Sequence, residues 1–259
     1  MPMTASSTAD AATEIRLGVF RPDWSAVTAP AARAALKSRA AKRSRLLDKW
    51  SQPLGREADL VWRSVLQLYA KLGRPPEAAE LASETKLPAA IIRRHLKTLD
   101  EHDLLAWDSS ETALWLAYPF TEAQTGHRVV LAGRRFNALC AVDALGAGAM
   151  YRSDIAIESS CRQCGKEIRL TTAGHGRAVQ SASPAETVVW YDSDYFVSAA
   201  TSCCPAIAFF CSDAHLKTWL DTQIPGRSGL GLSLAEALEV GRAIFGPVLA
   251  GPADRPPIP

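Results

Sequence analysis

Between residues 57 and 72 the apolar side chains fall at Val61, Val65, Leu68 and Leu72, the spacing of one helix face. Gly73 and the Pro75-Pro76 pair stop that helix. The next stretch, PEAAELASETKLPAAIIRRHLKTLDEHDLLAWD, predicts a short helix and a turn around Leu87-Pro88. A second helix follows, with Ile92, Leu96 and Leu99 on one face. Then the period shortens. DLLAWD and TALWLAYPF read as two strands joined by the polar SSE. Three helices and a hairpin in that order form a winged-helix pattern. Upstream, residues 29–50 (APAARAALKSRAAKRSRLLDKW) favour helix and are basic.

After TEAQTG the texture is mixed. HRVVLAG predicts a strand, and residues 134–150 a helix loosened at its end by Gly146 and Gly148. SDIAIES alternates as a strand, and CRQCGKEIRLTT turns into another. GHGRAVQSASPAE reads as loop, TVVWYDSD as strand and PAIAFFCS as a short buried strand. DAHLKTWLDT is helical, and Leu234, Leu238, Gly241 and Phe245 mark a last amphipathic helix before the Pro-rich GPADRPPIP. Strands this close in sequence pair antiparallel, so the fold class is α+β with a mainly antiparallel sheet. The expected organisation is a disordered tail over 1–28, a helical and winged-helix-like domain over 29–120, and a mixed α+β domain over 121–259.

Composition narrows the function classes. A chain of 259 residues with 47% hydrophobic content buries a real core. The net charge of +2 sets up no global field for nucleic acid or anionic membrane. Arg93, Arg94, His95 and Lys97 would face a DNA groove, but Glu77, Glu80, Glu84, Asp100, Glu101 and Asp103 surround them. Nucleic acid is therefore not the expected partner. No apolar run reaches bilayer length, and the start lacks the basic and apolar regions of a secretory signal. A cytoplasmic, reducing compartment is expected. Thiols there are metal ligands, catalytic groups or core residues rather than disulfides.

The six cysteines all follow residue 139. Cys140 and Asp143 lie three apart, on one face of the expected helix. Their neighbours are Phe136, Ala138, Leu139, Ala141, Val142, Ala144 and Leu145. A carboxylate in such company is costly unless something pairs with it, and burial raises its pKa towards proton transfer at neutral pH. The plainer alternative is a core cysteine beside a helix-end salt bridge. Cys161 and Cys164, in CRQCGK, resemble half of a zinc site. Cys203, Cys204, Cys211, His175 and His215 are the later donors, but adjacent thiols seldom serve one tetrahedral ion and no second C-x-x-C follows. A closed zinc site is therefore not expected, and Cys211 is read as a core thiol. No phosphate-binding glycine loop or serine-nucleophile motif occurs in a convincing context.

RRFNALCAVDAL, then CCPAIAFFCS, then SLAEALEVGRAIF resembles the organomercurial lyase (alkylmercury lyase) family, over about residues 57–250. The resemblance implies a catalytic domain that cleaves R–Hg⁺ by protonolysis to R–H and Hg(II), with no organic cofactor. It makes Cys140 the helix cysteine and Asp143 the proton shuttle. Counting back from Phe209-Phe210 makes Cys204 the second cysteine, with Cys203 as the alternative one residue away. Mercury, as substrate and product, would contact Cys140, Cys204 and Asp143, with Cys203 a further candidate. Cys161 takes the place of a structural family cysteine. Exogenous thiols or a mercuric reductase would accept Hg(II). The chain departs from the family at Leu139, where an aromatic is usual, and at Pro205, Ala206 and Ala208, where histidines are common. Two other readings compete: a metal-responsive winged-helix regulator, and a non-catalytic mercury- or zinc-binding relative.

Overall fold

The computed structural model describes residues 22–250 apart from 43 and 109–112. The tail as far as residue 21, the hairpin link at 109–112 and the C-terminal stretch from 251 lie outside the described residues. Within the expected tail, Trp24–Ala26 forms a 3₁₀ turn capped by Asp23. Asp23 N–H donates to Ala243 O at 2.7 Å, and Glu239 accepts from the N–H groups of Thr28 and Ala29. These bonds seat residues 23–29 on the last helix.

Helix α1 (Pro30–Lys42) buries Ala32, Ala35, Leu36 and Arg39, one face at helical spacing. After α2 (Ser44–Ser51) comes α3 (Arg56–Leu72), whose apolar face supplies Val61, Trp62, Val65, Leu66 and Tyr69 to the core. Gly73, at φ 81°, ends it by donating its N–H to Tyr69 O. A capping box between Glu77 and Glu80 opens α4 (Ala78–Thr85), and α5 (Ala89–Glu101) follows. The expected helix–helix–helix–hairpin order is present: β1 (Leu105–Trp107) pairs antiparallel with β2 (Leu114–Ala117).

The hairpin continues into a larger sheet. With β3 (Phe120–Thr121), β4 (Arg128–Leu131), β5 (Arg134–Ala138), β6 (Ile155–Ser160), β7 (Glu167–Ala173) and β8 (Ala178–Ser183), the order is β1-β2-β3-β5-β4-β6-β7-β8. A second sheet runs β10-β9-β11, from β9 (Val188–Asp192), β10 (Ala208–Phe210) and β11 (Gly229–Ser233). Each neighbouring pair in both sheets is antiparallel. The fold is α+β. The remaining helices are α6 (Ala141–Tyr151), α7 (Asp213–Asp221) and α8 (Leu234–Phe245). No helix among the described residues is long and apolar enough to cross a membrane.

Three expectations are corrected. Residues 134–138 are strand, and the helix starts only at Ala141. Ala132 and Gly133 both have positive φ and make the two-residue turn that pairs β4 with β5. Only Arg135 and Asn137 alternate with buried Phe136 and Ala138, too short a run to show the two-residue period. Residues 178–183, read as loop, form β8, an edge strand too polar to show a buried face. Gly146 does not loosen a helix end: α6 continues to Tyr151. A Cβ at Gly146 would lie 2.3 Å from Phe245 Cδ2 and 2.9 Å from Gly241 O, so its missing side chain lets α6 and α8 pack closely.

Candidate active site

Cys140 is the residue before α6. Its backbone is extended (φ −148°, ψ 176°), and its sulfur accepts the Asp143 N–H at 3.4 Å, capping the helix. The sulfur therefore sits at the positive end of the helix dipole rather than within a helical face. The dipole favours a thiolate by roughly 0.3–1 kcal/mol. Burial works the other way and wins, pushing the Cys140 thiol up to about 11. At neutral pH it carries its proton until something soft displaces it.

Cys204 opens a 3₁₀ turn, Cys204–Ala206, ahead of β10. Its N–H donates to Ala199 O at 3.0 Å. Ala141 N–H donates to Ile207 O at 3.1 Å, tying the start of α6 to this turn. The result is a group far apart in sequence and together in space. The sulfurs of Cys140 and Cys204 and a carboxylate oxygen of Asp143 lie within 4.8 Å of one another, and all three residues are buried. Hydrogen bonds with Cys140 and Cys203, together with burial, push the Cys204 thiol well above its usual range. Cys203 does not join the group; its sulfur lies 3.7 Å from Ala199 O.

Burial is also the main force on Asp143, raising its carboxyl from 3.8 to about 7. A hydrogen bond from the Cys140 side chain and the positive charge of Arg39 oppose it. Oδ2 has no hydrogen-bond partner among the described residues. The acid is thus poised near neutrality, beside a thiol whose proton it can take. Around it lies a cavity of about 30 Å³, walled by Trp50, Tyr118, Val142, Tyr191, Ile207, Ile244 and Phe245. Larger than this is a groove of about 970 Å³ lined by Arg74, Arg93, Lys97 and Trp107 among others, but no thiol lines it.

A consequence for stability follows from the raised carboxyl. Between pH 4 and 7 the folded state holds a proton at Asp143 that the unfolded state has released. Asp143 therefore helps stability at low pH and loses that help as pH rises through about 7. Asp143→Asn removes this dependence. Relative to the wild type, the variant is expected to gain on the order of 4 kcal/mol from pH 4 to pH 8, at about 1.4 kcal/mol per pH unit. Urea unfolding of both proteins across that range measures it. Parallel stability–pH curves would place the carboxyl near its ordinary value.

Two residues escaped the sequence reading. Arg39 comes from α1, within the basic stretch of residues 29–50. It is 1% exposed, lines the cavity, and places its guanidinium carbon 4.6 Å from the Trp50 ring centroid. The signal was present: Arg39 follows Ala32, Ala35 and Leu36 at helical spacing. Asp103, counted only as a surface acid, is buried. It accepts Ala199 N–H at 2.9 Å and the Tyr118 and Tyr195 hydroxyls at 3.4 and 3.3 Å. Because Ala199 O holds the Cys204 N–H, Asp103 positions the cysteine turn. No local pattern points to it.

Cys161 and Cys164 stand elsewhere. With Cys211 and His215 they form a second group, whose donor atoms also lie within 4.8 Å of one another. CRQCGK is followed by no second C-x-x-C, but the fold brings Cys211 and His215 to it. Cys211 and His215 are spaced C-x₃-H on either side of the start of α7, which placed them outside the two-thiol pattern sought.

Comparison with known proteins bears on this site. The alkylmercury lyase family matches residues 120–246, which include both cysteines and the aspartate. An alkylmercury lyase of Staphylococcus epidermidis is 30% identical over 191 residues, covering 73% of this chain and 83% of that protein. One from Bacillus cereus is 28% identical over 189 residues, covering 73% and 82%. Among solved structures, the mercury-bound form of MerB2 superimposes with a TM-score of 0.67 at 21% identity, over 83% of this chain and 100% of that one. That likeness carries the fold.

Proposed function

The chain belongs to the alkylmercury lyase family, and we propose that Cys140, Cys204 and Asp143 perform its carbon–mercury protonolysis. The observation that carries this reading is the meeting of two sulfurs and a carboxyl within 4.8 Å in a buried, largely apolar cavity. Mercury is soft and takes thiolate ligands. R–Hg⁺ binds one cysteine as the thiol proton passes to Asp143 or to solvent. The second thiolate adds to mercury and pushes electron density onto the bound carbon. Protonated Asp143 then delivers its proton to that carbon, and the electron pair of the C–Hg bond becomes the C–H bond. Two thiol protons enter the balance: one ends in R–H and one leaves to solvent. Hg(II) remains on the two sulfurs.

The dry walls serve the same end. Mainly apolar walls turn the proton donor towards carbon rather than bulk solvent and keep its pKa raised. No organic or redox cofactor enters the scheme. Small thiols, or a mercuric reductase with its own thiols, collect Hg(II) for the next cycle.

Reduced protein incubated with phenylmercury and excess thiol tests the reading. Benzene released over many turnovers is the expected result. Stoichiometric binding without benzene would leave a mercury sink, and metal-dependent DNA retardation would favour a regulator.

A further inference from the structure

Cys161, Cys164, Cys211 and His215 take no part in the proposed chemistry. Cys161 and Cys164 occupy the turn between β6 and β7, which closes with Gly165 N–H donating to Cys161 O and Cys161 N–H donating to Lys166 O, both at 2.8 Å. Gly165 supplies the positive φ (73°) that the turn requires. Cys211 follows β10, and His215 lies in the first turn of α7, its N–H donating to Ser212 Oγ at 3.3 Å. Arg162 N–H donates to Phe209 O at 3.0 Å, joining the two segments. Backbone hydrogen bonds from Cys211, Cys164 and Gln163 reach the Cys161 side chain.

The spacing of the four donors suits one ion. A tetrahedral zinc with Zn–S of about 2.3 Å and Zn–N of about 2.0 Å has S···S edges of about 3.8 Å and S···N edges of about 3.5 Å. Cys164 Sγ lies 3.8 Å from Cys211 Sγ, and Cys161 Sγ lies 3.7 Å from His215 Nδ1. A third edge, Cys211 Sγ to His215 Nδ1, is 3.0 Å, shorter than the tetrahedral value. Three thiolates and one imidazole around a tetrahedron fill every position, leaving no place for substrate. Such a donor set selects zinc over hard cations.

We propose that this cluster is a closed, structural Zn(II) site, separate from the mercury-handling trio. Binding releases up to three thiol protons to solvent and leaves an anionic centre, with Arg162 and Lys166 beside it in sequence. The ion ties the β6–β7 turn of the large sheet to the β10–α7 junction of the small one. Cys204 lies on the same segment, just ahead of β10, so the ion anchors the far end of the chain that carries the second thiol.

Metal analysis of the full-length protein, expressed with zinc and purified under reducing conditions, tests the assignment. The wild type and a Cys140→Ser/Cys204→Ser double variant should each hold about one zinc per chain, the complement of a single tetrahedral site. Cys164→Ser/Cys211→Ser should lose it, while His215→Cys, which replaces the imidazole with a fourth sulfur ligand, should keep it. Cobalt substitution should give the intense visible bands of tetrahedral thiolate coordination in the wild type and in His215→Cys. Chelation of zinc should lower the melting temperature of the wild type. A wild type free of zinc and unable to bind cobalt would overturn the proposal. So would metal that follows Cys140 and Cys204, a Cys164–Cys211 disulfide in the reduced protein, or Hg(II) settling in this cluster after turnover. Because the metal count does not depend on turnover, this result stands or falls apart from the lyase reading.

Discussion

Cys204→Ser is expected to lower turnover of phenylmercury by about 10³-fold or more, because the nucleophile acts as one unit with its partners. Cys140→Ser should do the same. Serine keeps the shape of the side chain, so the packing around α6 and the 3₁₀ turn survives. Its hydroxyl is a hard donor and a poor ligand for mercury. With one sulfur left, R–Hg⁺ still binds, but the added electron density that weakens the C–Hg bond is gone. Cys203→Ser separates the two adjacent thiols. Its sulfur stands outside the group formed by Cys140, Asp143 and Cys204, so the variant should retain a substantial fraction of wild-type turnover. Benzene release under excess thiol, followed by gas chromatography, ranks the three. A Cys203→Ser variant as inactive as Cys204→Ser would move the second ligand by one residue and break the scheme.

Asp143→Asn carries the second large effect. Asparagine fills nearly the same volume and leaves the Asp143 N–H bond to Cys140 Sγ in place, but it holds no transferable proton near neutral pH. Organomercurial should still bind, because the two sulfurs remain. Hydrocarbon release in a single turnover should slow by about 10²–10⁴-fold, the usual contribution of a positioned acid. The pH profile distinguishes a proton donor from a cavity filler. With organomercurial already bound, the wild-type rate should fall as pH rises through about 7, where Asp143 loses its proton. The variant should show no such inflection. Equal rates with a shared inflection would assign the proton to another group.

Much of the fold is legible because its signals are local. The apolar face of α3, the glycine and prolines after it and the two-fold alternation of β6 each involve residues within a turn or two of one another. The failures have the same cause reversed. The β4–β5 hairpin depends on two positive-φ residues inside an apolar stretch, and β8 is an edge strand with no buried stripe. Cys140 was placed on a helical face, but it precedes the helix and caps it. That change matters chemically, since it sets the sulfur beside the Asp143 N–H instead of one helical turn away along a side-chain face.

By itself the chain determined its α+β class, its family resemblance and the thiols and acid proposed for the chemistry. Those properties are written in composition and short-range order. Only the tertiary structure decided which sulfur meets Asp143, that Arg39 faces inward against the same cavity, that Asp103 holds the cysteine turn through Ala199, and that four further donors converge around one point. Such facts depend on contacts between segments far apart in sequence. A side chain's pKa and its reach towards a metal are set by burial and by a few ångströms of separation, and neither quantity exists until distant parts of the chain have packed together.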